Sequence, residues 1–443
     1  MATGVNATQT KPHTAPDASP LRIHNFRAYL LARFSMIVGQ YAMMLIIGWQ
    51  TYTIARGNGL NAFEASGQLA MIGLLQFLPL FVLAPFSGLA ADRFNRKTVS
   101  RLTILLQLLC AAFLAWMTYT DHIELTSLFA VAVLLGVVRA FNGPALSALA
   151  PNLVPKAILP NAIALSSIAW QTGMIVGPAV GGYAYDAMPA LPYAIASGLF
   201  LISIIAISTI GKVPRTEITG AQRPIGQIID GWRYVFQNKM VLGAITLDLM
   251  AVFLAGATAL FPPFAYDILK VGETGLAQLA AAPAFGAAIT ALWFSFRPLK
   301  SDVGPKMLWS VALFGLATII FGFSRFMPLS LAMLVIVGAA DMFSVYIRQS
   351  FIQLHTPDDK RGRVSSASLL TVSASNEGGD AFSGFLASAI GPAGAVIFGG
   401  VGAIVTVAMW SRIFPVLRHT RTFDPPASLR EETPEQILQE KIP

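Results

Sequence analysis

Cysteine occurs once in this chain, at Cys110 inside an apolar run, so no disulfide framework can form. Histidine occurs five times, at His13, His24, His122, His355 and His419, each in what reads as a loop or tail. That spread argues against a metal site built on clustered imidazoles. Charge is scarce as well: 12% of residues, against about 25% in a soluble domain. No G-x-x-x-x-G-K-[ST] phosphate loop occurs, which disfavours an ATP-driven pump. Neither a nucleophile–base pair nor a cofactor fingerprint is found, so no enzyme, metal or cofactor is expected. The first twenty residues, MATGVNATQTKPHTAPDASP, lack the apolar core of a signal peptide and read as a disordered cytosolic tail.

What the chain has instead is apolar surface. Hydrophobic residues make up 55% of its 443 positions, and the mean hydropathy is +0.63. A soluble protein of this length could not bury that much, so the reading is a polytopic all-α membrane protein. Crossing a bilayer takes roughly 20 apolar residues. Candidate spans run over 26–54, 68–91, 102–119, 127–149, 162–185 and 193–210, then 241–269, 277–296, 307–323, 329–354, 364–390 and 395–414. The expected organisation is a tail (1–20), a six-helix bundle (21–211), a cytosolic linker (212–239), a second six-helix bundle (240–415) and a charged tail (416–443).

Lys and Arg are distributed unevenly between the two sets of loops. One set holds sixteen, among them Arg93, Arg96, Lys97, Lys306, Lys360, Arg361 and Arg363; the other holds only Arg56, Lys270 and Arg325. The positive-inside rule then places both termini in the cytosol. It also accounts for most of the +8 net charge without a nucleic-acid partner.

The chain also repeats itself. At an offset of 202 residues Gly136 meets Gly338, Arg139 meets Asp341, Phe141 meets Phe343, Pro155 meets Pro357, Gly177 meets Gly379 and Gly182 meets Gly384. Secondary transporters are often built from duplicated units with a site near the midplane between them. The second copy carries Asp341, Glu377 and Asp380 inside apolar segments, where carboxyl groups are costly and mark pathways or buried pairs. At about 1.5 Å per residue, Asp341 and Glu377 each lie ~20 Å from where their helix enters, near the middle, and Arg139 lies at a similar depth. Asp248 and Arg33 sit nearer the cytosolic end. The expected pairs are Arg139 with Asp341 and Arg33 with Asp248, serving either as coupling groups or as permanent salt bridges.

Three motifs carry a resemblance. Gly88, Asp92, Arg93, Arg96 and Lys97 stand in the order G-x-x-x-D-R-x-x-R-K, with Asn95 at a turn position that tolerates left-handed backbone. This resembles the loop motif of the major facilitator superfamily. Arg139-Ala140-Phe141-Asn142-Gly143 resembles that superfamily's antiporter motif R-x-x-Q-G. Gly173, Gly177, Pro178, Gly181 and Gly182 resemble its exporter motif, in which small residues bring helices close and the proline bends one. Asp341, Arg348 and Arg361-Gly362-Arg363 look most like the enterobactin-exporter-like branch.

The resemblance implies twelve helices in two pseudo-symmetric bundles. It places Arg33, Gln40, Arg139, Asp248, Asp341, Phe343 and Tyr346 on cavity helices, with Glu377 and Asp380 beside them. It further implies a monomeric, proton-coupled exporter of a small amphipathic molecule in a bacterial cytoplasmic membrane, in contact with membrane lipid. Uptake of a nutrient, or lipid or lysolipid transport, by the same fold is the alternative; a transport-like sensor or a membrane enzyme comes after it. Aromatics at Tyr41, Trp49, Tyr52 and Phe253 are candidates to stack a ligand or simply to pack.

Overall fold

The computed structural model describes residues 19–93, 95–147, 149, 152–155, 158–211, 224–297, 299 and 301–424. The described residues form helices and no strand. The first bundle is α1 (His24–Gly57), α2 (Ala62–Arg93), α3 (Arg96–Tyr119), α4 (Leu125–Ser147), α5 (Leu159–Ala187) and α6 (Leu191–Thr209). A linker helix α7 (Pro224–Gln237) leads to the second bundle. That bundle comprises α8 (Lys239–Ala255) with the short α9 (Phe261–Pro263), then α10 (Gly272–Phe296), α11 (Val303–Phe323), α12 (Met327–Leu354), α13 (Asp358–Ile390) and α14 (Pro392–Ile413). A terminal turn, α15 (Pro415–His419), follows.

Eleven of the described helical stretches are long and apolar enough to cross a membrane. The twelfth span is α13, whose serines, Glu377, Asp380 and basic first turns lower its hydropathy. Local chemistry sets the helix starts. Proline opens α5, α6, α12 and α14, where its missing N–H costs nothing. Asn238 caps α8 by accepting from the Met240 and Val241 amides. Asn95 caps α3 in the same way, accepting from the Lys97 amide in extended backbone at φ −66° and ψ 117°. The tolerance of asparagine for left-handed backbone is not used there; the side chain acts as an N-cap, which satisfies an amide that would otherwise be orphaned.

Lipid tails are as apolar as leucine, so helices in a membrane associate through close packing rather than hydrophobic burial. The repeated glycines provide that packing in equivalent ways. Gly136 of α4 lies against the Gln76 backbone of α2, and Gly338 of α12 lies against the Pro283 backbone of α10. A Cβ on Gly177 of α5 would meet the Tyr41 Cβ of α1 at 2.6 Å, and one on Gly379 of α13 would meet the Phe253 Cα of α8 at 3.0 Å. The third pair joins the bundles: Gly182 of α5 faces Ala277 of α10, and Gly384 of α13 faces Ala70 of α2. Gly73 of α2, against the Ala381 backbone, extends that last contact. These inter-bundle approaches lie towards the face carrying Arg56, opposite the basic face.

Two expectations about the connecting segments change. Residues 224–237, read as part of a polar linker, form α7, while 212–223 lie outside the described residues. Val235 of α7 is buried with Val241, Ile245, Ile352 and Val364, Tyr234 donates its hydroxyl to the His355 carbonyl at 2.6 Å, and Asp230 pairs with Arg363 at 3.3 Å. The linker is thus docked beneath the second bundle by an apolar face that its charge content obscured. Residues 416–424, read as surface, also pack. Leu417 is fully buried, the Gly304 amide donates to the Thr420 carbonyl at 3.0 Å, and Phe423 lies against Tyr346 and Phe351.

Candidate functional site

The charged groups at mid-bundle do not pair as depth alone suggests. Arg139 of α4 forms its ion pair with Glu377 of α13, joining the two bundles. The Glu377 side chain is 7% exposed and that of Arg139 22%, so water contributes little to holding the carboxylate. Arg139 Nη1 also donates to Gln76 Oε1 of α2 at 3.3 Å. Tyr41 of α1 stands in electrostatic contact with both partners. One turn along α13, Asp380 accepts from Thr258 Oγ1 at 2.7 Å and from the Ala259 amide.

Those donors exist because α8 stops short. Gly256 ends the helix, a 3-10 turn follows at Thr258–Leu260, and Pro262 and Pro263 deprive the next turn of two amide donors. Residues Phe264–Ile268 then close as a π-turn, a form frequent at functional sites. The break exposes backbone and hydroxyl donors beside Asp380 and swings Asp267 towards α1.

Asp341 does not meet Arg139, contrary to expectation. It faces a small cavity inside the second bundle, shared with Asp248, Ser344 and Phe314. Asp248 does not meet Arg33. It pairs with Arg348 of α12, and both side chains are buried, at 6% and 3% exposure. Arg33 finds its partners inside its own bundle, donating to the Tyr29 hydroxyl at 2.8 Å and lying 5.3 Å above the Trp170 ring, where the aromatic quadrupole favours a cation. Phe343 and Tyr346 pack on Phe294 of α10, Tyr346 stacked at 4.2 Å between centroids. Phe253 stacks on Phe382 at 5.2 Å. Gln40 accepts from Gln107 of α3 at 3.5 Å and borders a second small cavity with Gln76, Gln107 and Arg139.

A further bridge lies at the rim opposite the basic face. Arg56 Nη2 pairs with Asp267 Oδ1 at 3.0 Å, and Arg56 Nη1 donates to the Leu60 carbonyl at 2.8 Å. The Tyr52 hydroxyl donates to the other oxygen of Asp267. Tyr266 sits edge-on to both Trp49 and Tyr52, at 5.8 and 5.9 Å. Asp267 escaped the sequence reading because it ends an apolar run, where an acid looks like an ordinary loop residue. Its only signal was the adjacent Pro262-Pro263 break.

The basic-face motif is described in part. The side chains of Gly88, Asp92 and Arg93 lie outside the described residues. Arg96 opens α3. Lys97 donates Nζ to the Ile210 carbonyl, so it serves the end of α6, where unpaired carbonyls and the helix dipole attract cations. The glycine-rich motif of α5 packs along α1: Gly173 on Ile37, Gly177 on Tyr41 and Gly181 on Ala42, with Pro178 inside the helix and Gly182 reaching α10.

Comparison with known proteins adds independent findings. A family model described as Major Facilitator Superfamily matches residues 29–376. The chain is 25% identical over 387 residues to the enterobactin exporter EntS of Escherichia coli O1:K1 / APEC, covering 86% of each. It is also 25% identical over 312 residues to the multidrug efflux pump Tap of Mycobacterium bovis (strain BCG / Pasteur 1173P2), covering 68% of this chain and 74% of that one. Among solved structures, the nucleoside transporter NupG aligns with a TM-score of 0.69 at 13% identity, over 88% of this chain and 99% of that one. A bacterial homologue of the human lysosomal transporter Spinster, in an inward-facing and unoccupied conformation, aligns with a TM-score of 0.65 at 17% identity, over 89% and 99%.

Proposed function

Because the chain belongs to the Major Facilitator Superfamily, we propose that this membrane transporter is a proton-coupled exporter of a small amphipathic molecule. The observation that carries the proposal is the ion pair between Arg139 of one bundle and Glu377 of the other. A carboxylate that neutralises a cation across the bundle interface ties the two bundles together. A proton on Glu377 removes that attraction and leaves Arg139 in need of other acceptors. Proton arrival therefore favours separation of the bundles, and proton loss favours their closure. Asp380 stands one turn away as an acid able to receive the proton next, and Asp341 is a further acid in the second bundle.

Export rather than uptake draws support from the exporters among the similar proteins and from the α5 motif packed on α1. Both termini face the cytosol of a bacterial inner membrane, by the distribution of Lys and Arg among the loops. The conformation is then closed towards the periplasm, where Arg56 and Asp267 meet. The working unit is a monomer surrounded by lipid. Its partners are protons and the transported molecule.

The test begins with a thermal-shift screen of small amphipathic compounds on the purified protein. Hits go into a flux assay in proteoliposomes under an imposed pH gradient. Glu377→Gln is expected to reduce gradient-driven flux to that of empty liposomes. If Glu377→Gln, Asp380→Asn and Asp341→Asn each keep full coupled flux, the coupling reading is dead. Flux directed into the compartment equivalent to the cytosol would overturn the direction.

A further inference from the structure

Arg139 Nη1, the atom paired with Glu377, also reaches Gln76 of the first bundle. There it borders a small cavity together with Gln40 of α1, Gln76 of α2 and Gln107 of α3. The Gln76 and Gln107 side chains are almost wholly buried, at 2% and 1% exposure. Gln76 Oε1 already accepts from Arg139. Gln107 donates to Gln40, but its own Oε1 is buried without a hydrogen-bond partner. A buried carbonyl of this kind normally has a protein or water partner. The cavity has room for about one water molecule, too little for a substrate group; Met43, Met44 and Leu135 make most of its wall apolar, and Gln40, Gln76, Gln107 and Arg139 supply the polar contacts such a water needs.

We propose that Gln76, Gln107 and Gln40 form a neutral acceptor cradle that receives the Arg139 guanidinium when it separates from Glu377. The inference rests on the coupling reading above and names the residues that make the separation possible. A guanidinium has five donors and cannot shed its charge. At mid-membrane depth it needs acceptors in both states of the switch. Glu377 supplies them in one state. In the other, Gln76 Oε1 and Gln107 Oε1, the latter directly or through one water, take over without adding a competing negative charge. These are positioning residues: they touch Arg139, and they act on proton binding through it.

The other charged and titratable groups facing Glu377 are Tyr41 from α1 and Asp380 from α13 itself. On α2 the facing group is the neutral Gln76. The acids of α8 and α12, Asp248 and Asp341, border a separate cavity.

Cys110 is the only cysteine, so a Cys110→Ser background accepts spin labels cleanly. Nitroxides at Thr98→Cys and Gln353→Cys, two exposed positions near the basic-face ends of α3 and α12, report the separation of the bundles by electron–electron resonance. The probe is the proton alone, so no transported substrate is required. Full-length protein in lipid is expected to change its inter-label distance as pH falls. Gln107→Leu leaves Arg139 more dependent on Glu377, so the transition is expected to move to lower pH by about one unit. Gln107→Asn, which keeps an amide, is expected to restore most of the shift, a rescue that a space-filling role does not produce. Gln76→Leu is the second variant and moves the transition in the same direction. If both leucine variants switch at the wild-type pH while Glu377→Gln abolishes the response, the cradle is overturned and the coupling reading stands. If Glu377→Gln keeps the response, or the wild type has none, the coupling reading falls and the cradle falls with it.

Discussion

Among the described residues two ion pairs join the bundles, and their surroundings differ. Arg139–Glu377 sits at mid-bundle with Glu377 almost sealed. Arg56–Asp267 sits at the rim with both side chains about a quarter exposed, at 29% and 23%. At the rim, water solvates either charge once they part, so the pair acts as a latch that opens at small cost. In the inner pair Arg139 is as exposed as Asp267, but Glu377 has little such refuge once parted. Separation therefore leaves the carboxylate, more than the guanidinium, short of partners. Similar pairs of groups thus differ in the cost of parting them, small at the rim and larger at the inner carboxylate.

The comparison breaks most readily at its inner member. Glu377→Leu leaves Arg139 uncompensated and is expected to cost about 3–5 kcal/mol, read as a fall in unfolding midpoint in denaturant. The double variant Arg139→Leu/Glu377→Leu is expected to recover most of that stability while coupled flux stays absent. Recovery of flux as well would reduce the inner pair to a structural bridge.

A smaller effect is expected from the contact that brings both pairs into register. Gly384→Val places a branched side chain against the Ala70 backbone, which a Cβ would already approach to 2.7 Å. Overpacking of this kind costs about 1–3 kcal/mol. It should separate the bundles at the Arg56 face, measured as faster cysteine labelling at Asn58→Cys in the Cys110→Ser background. Unchanged labelling would mean that this contact does not control closure.

At the rim itself, Asp267→Asn is expected to change global stability by no more than about 1 kcal/mol, as for other partly exposed pairs. The same variant should accelerate labelling at Asn58→Cys, and added salt should reproduce part of the effect in the wild type. A loss as large as that of Glu377→Leu would erase the distinction between the pairs.

The smallest effect lies outside both bridges. His355, at the C-cap of α12, is held below its ordinary value of 6.5 by burial, opposed by hydrogen bonds with the Phe351 and Asp424 backbones. The folded state therefore binds this proton less readily than the unfolded state does. The contribution of His355 to stability is fully present above the ordinary histidine value and is lost progressively as pH falls below it. His355→Gln should flatten that acid-side decline, measured by unfolding across pH 5 to 8, roughly the window in which histidine titrates. A curve that keeps its slope would assign the decline to other groups.

The architecture was legible because its determinants are local or periodic. Apolar run length gave the spans, and the glycine offset located three pairs of equivalent helix contacts. The partners were not legible. Depth along a helix gives one coordinate of a side chain, but pairing also depends on azimuth, which is set by where neighbouring helices cross. Arg139 and Asp341 occupy matched positions in the repeat, yet Arg139 reaches across to Glu377 of the other bundle while Asp341 faces a cavity inside its own. Arg348 was visible as two helical turns beyond Asp341 on α12, yet nothing local tied it to Asp248 of α8. Gln76 and Gln107 carry no charge and look like ordinary polar interruptions until the cavity between them is seen.

Besides the aromatic contact of Tyr266 with Trp49 and Tyr52, the bundles approach closely on small-residue surfaces where Gly73 meets Ala381, Gly384 meets Ala70 and Gly182 meets Ala277. Such surfaces have almost no side chains to interlock, so they behave as bearings rather than as gears. Sliding one bundle over the other requires few rotamers to unlock and returns little conformational entropy when the surfaces part. Resistance to such sliding is thereby concentrated in the polar and aromatic links between the bundles, while the glycine-lined faces themselves run smooth.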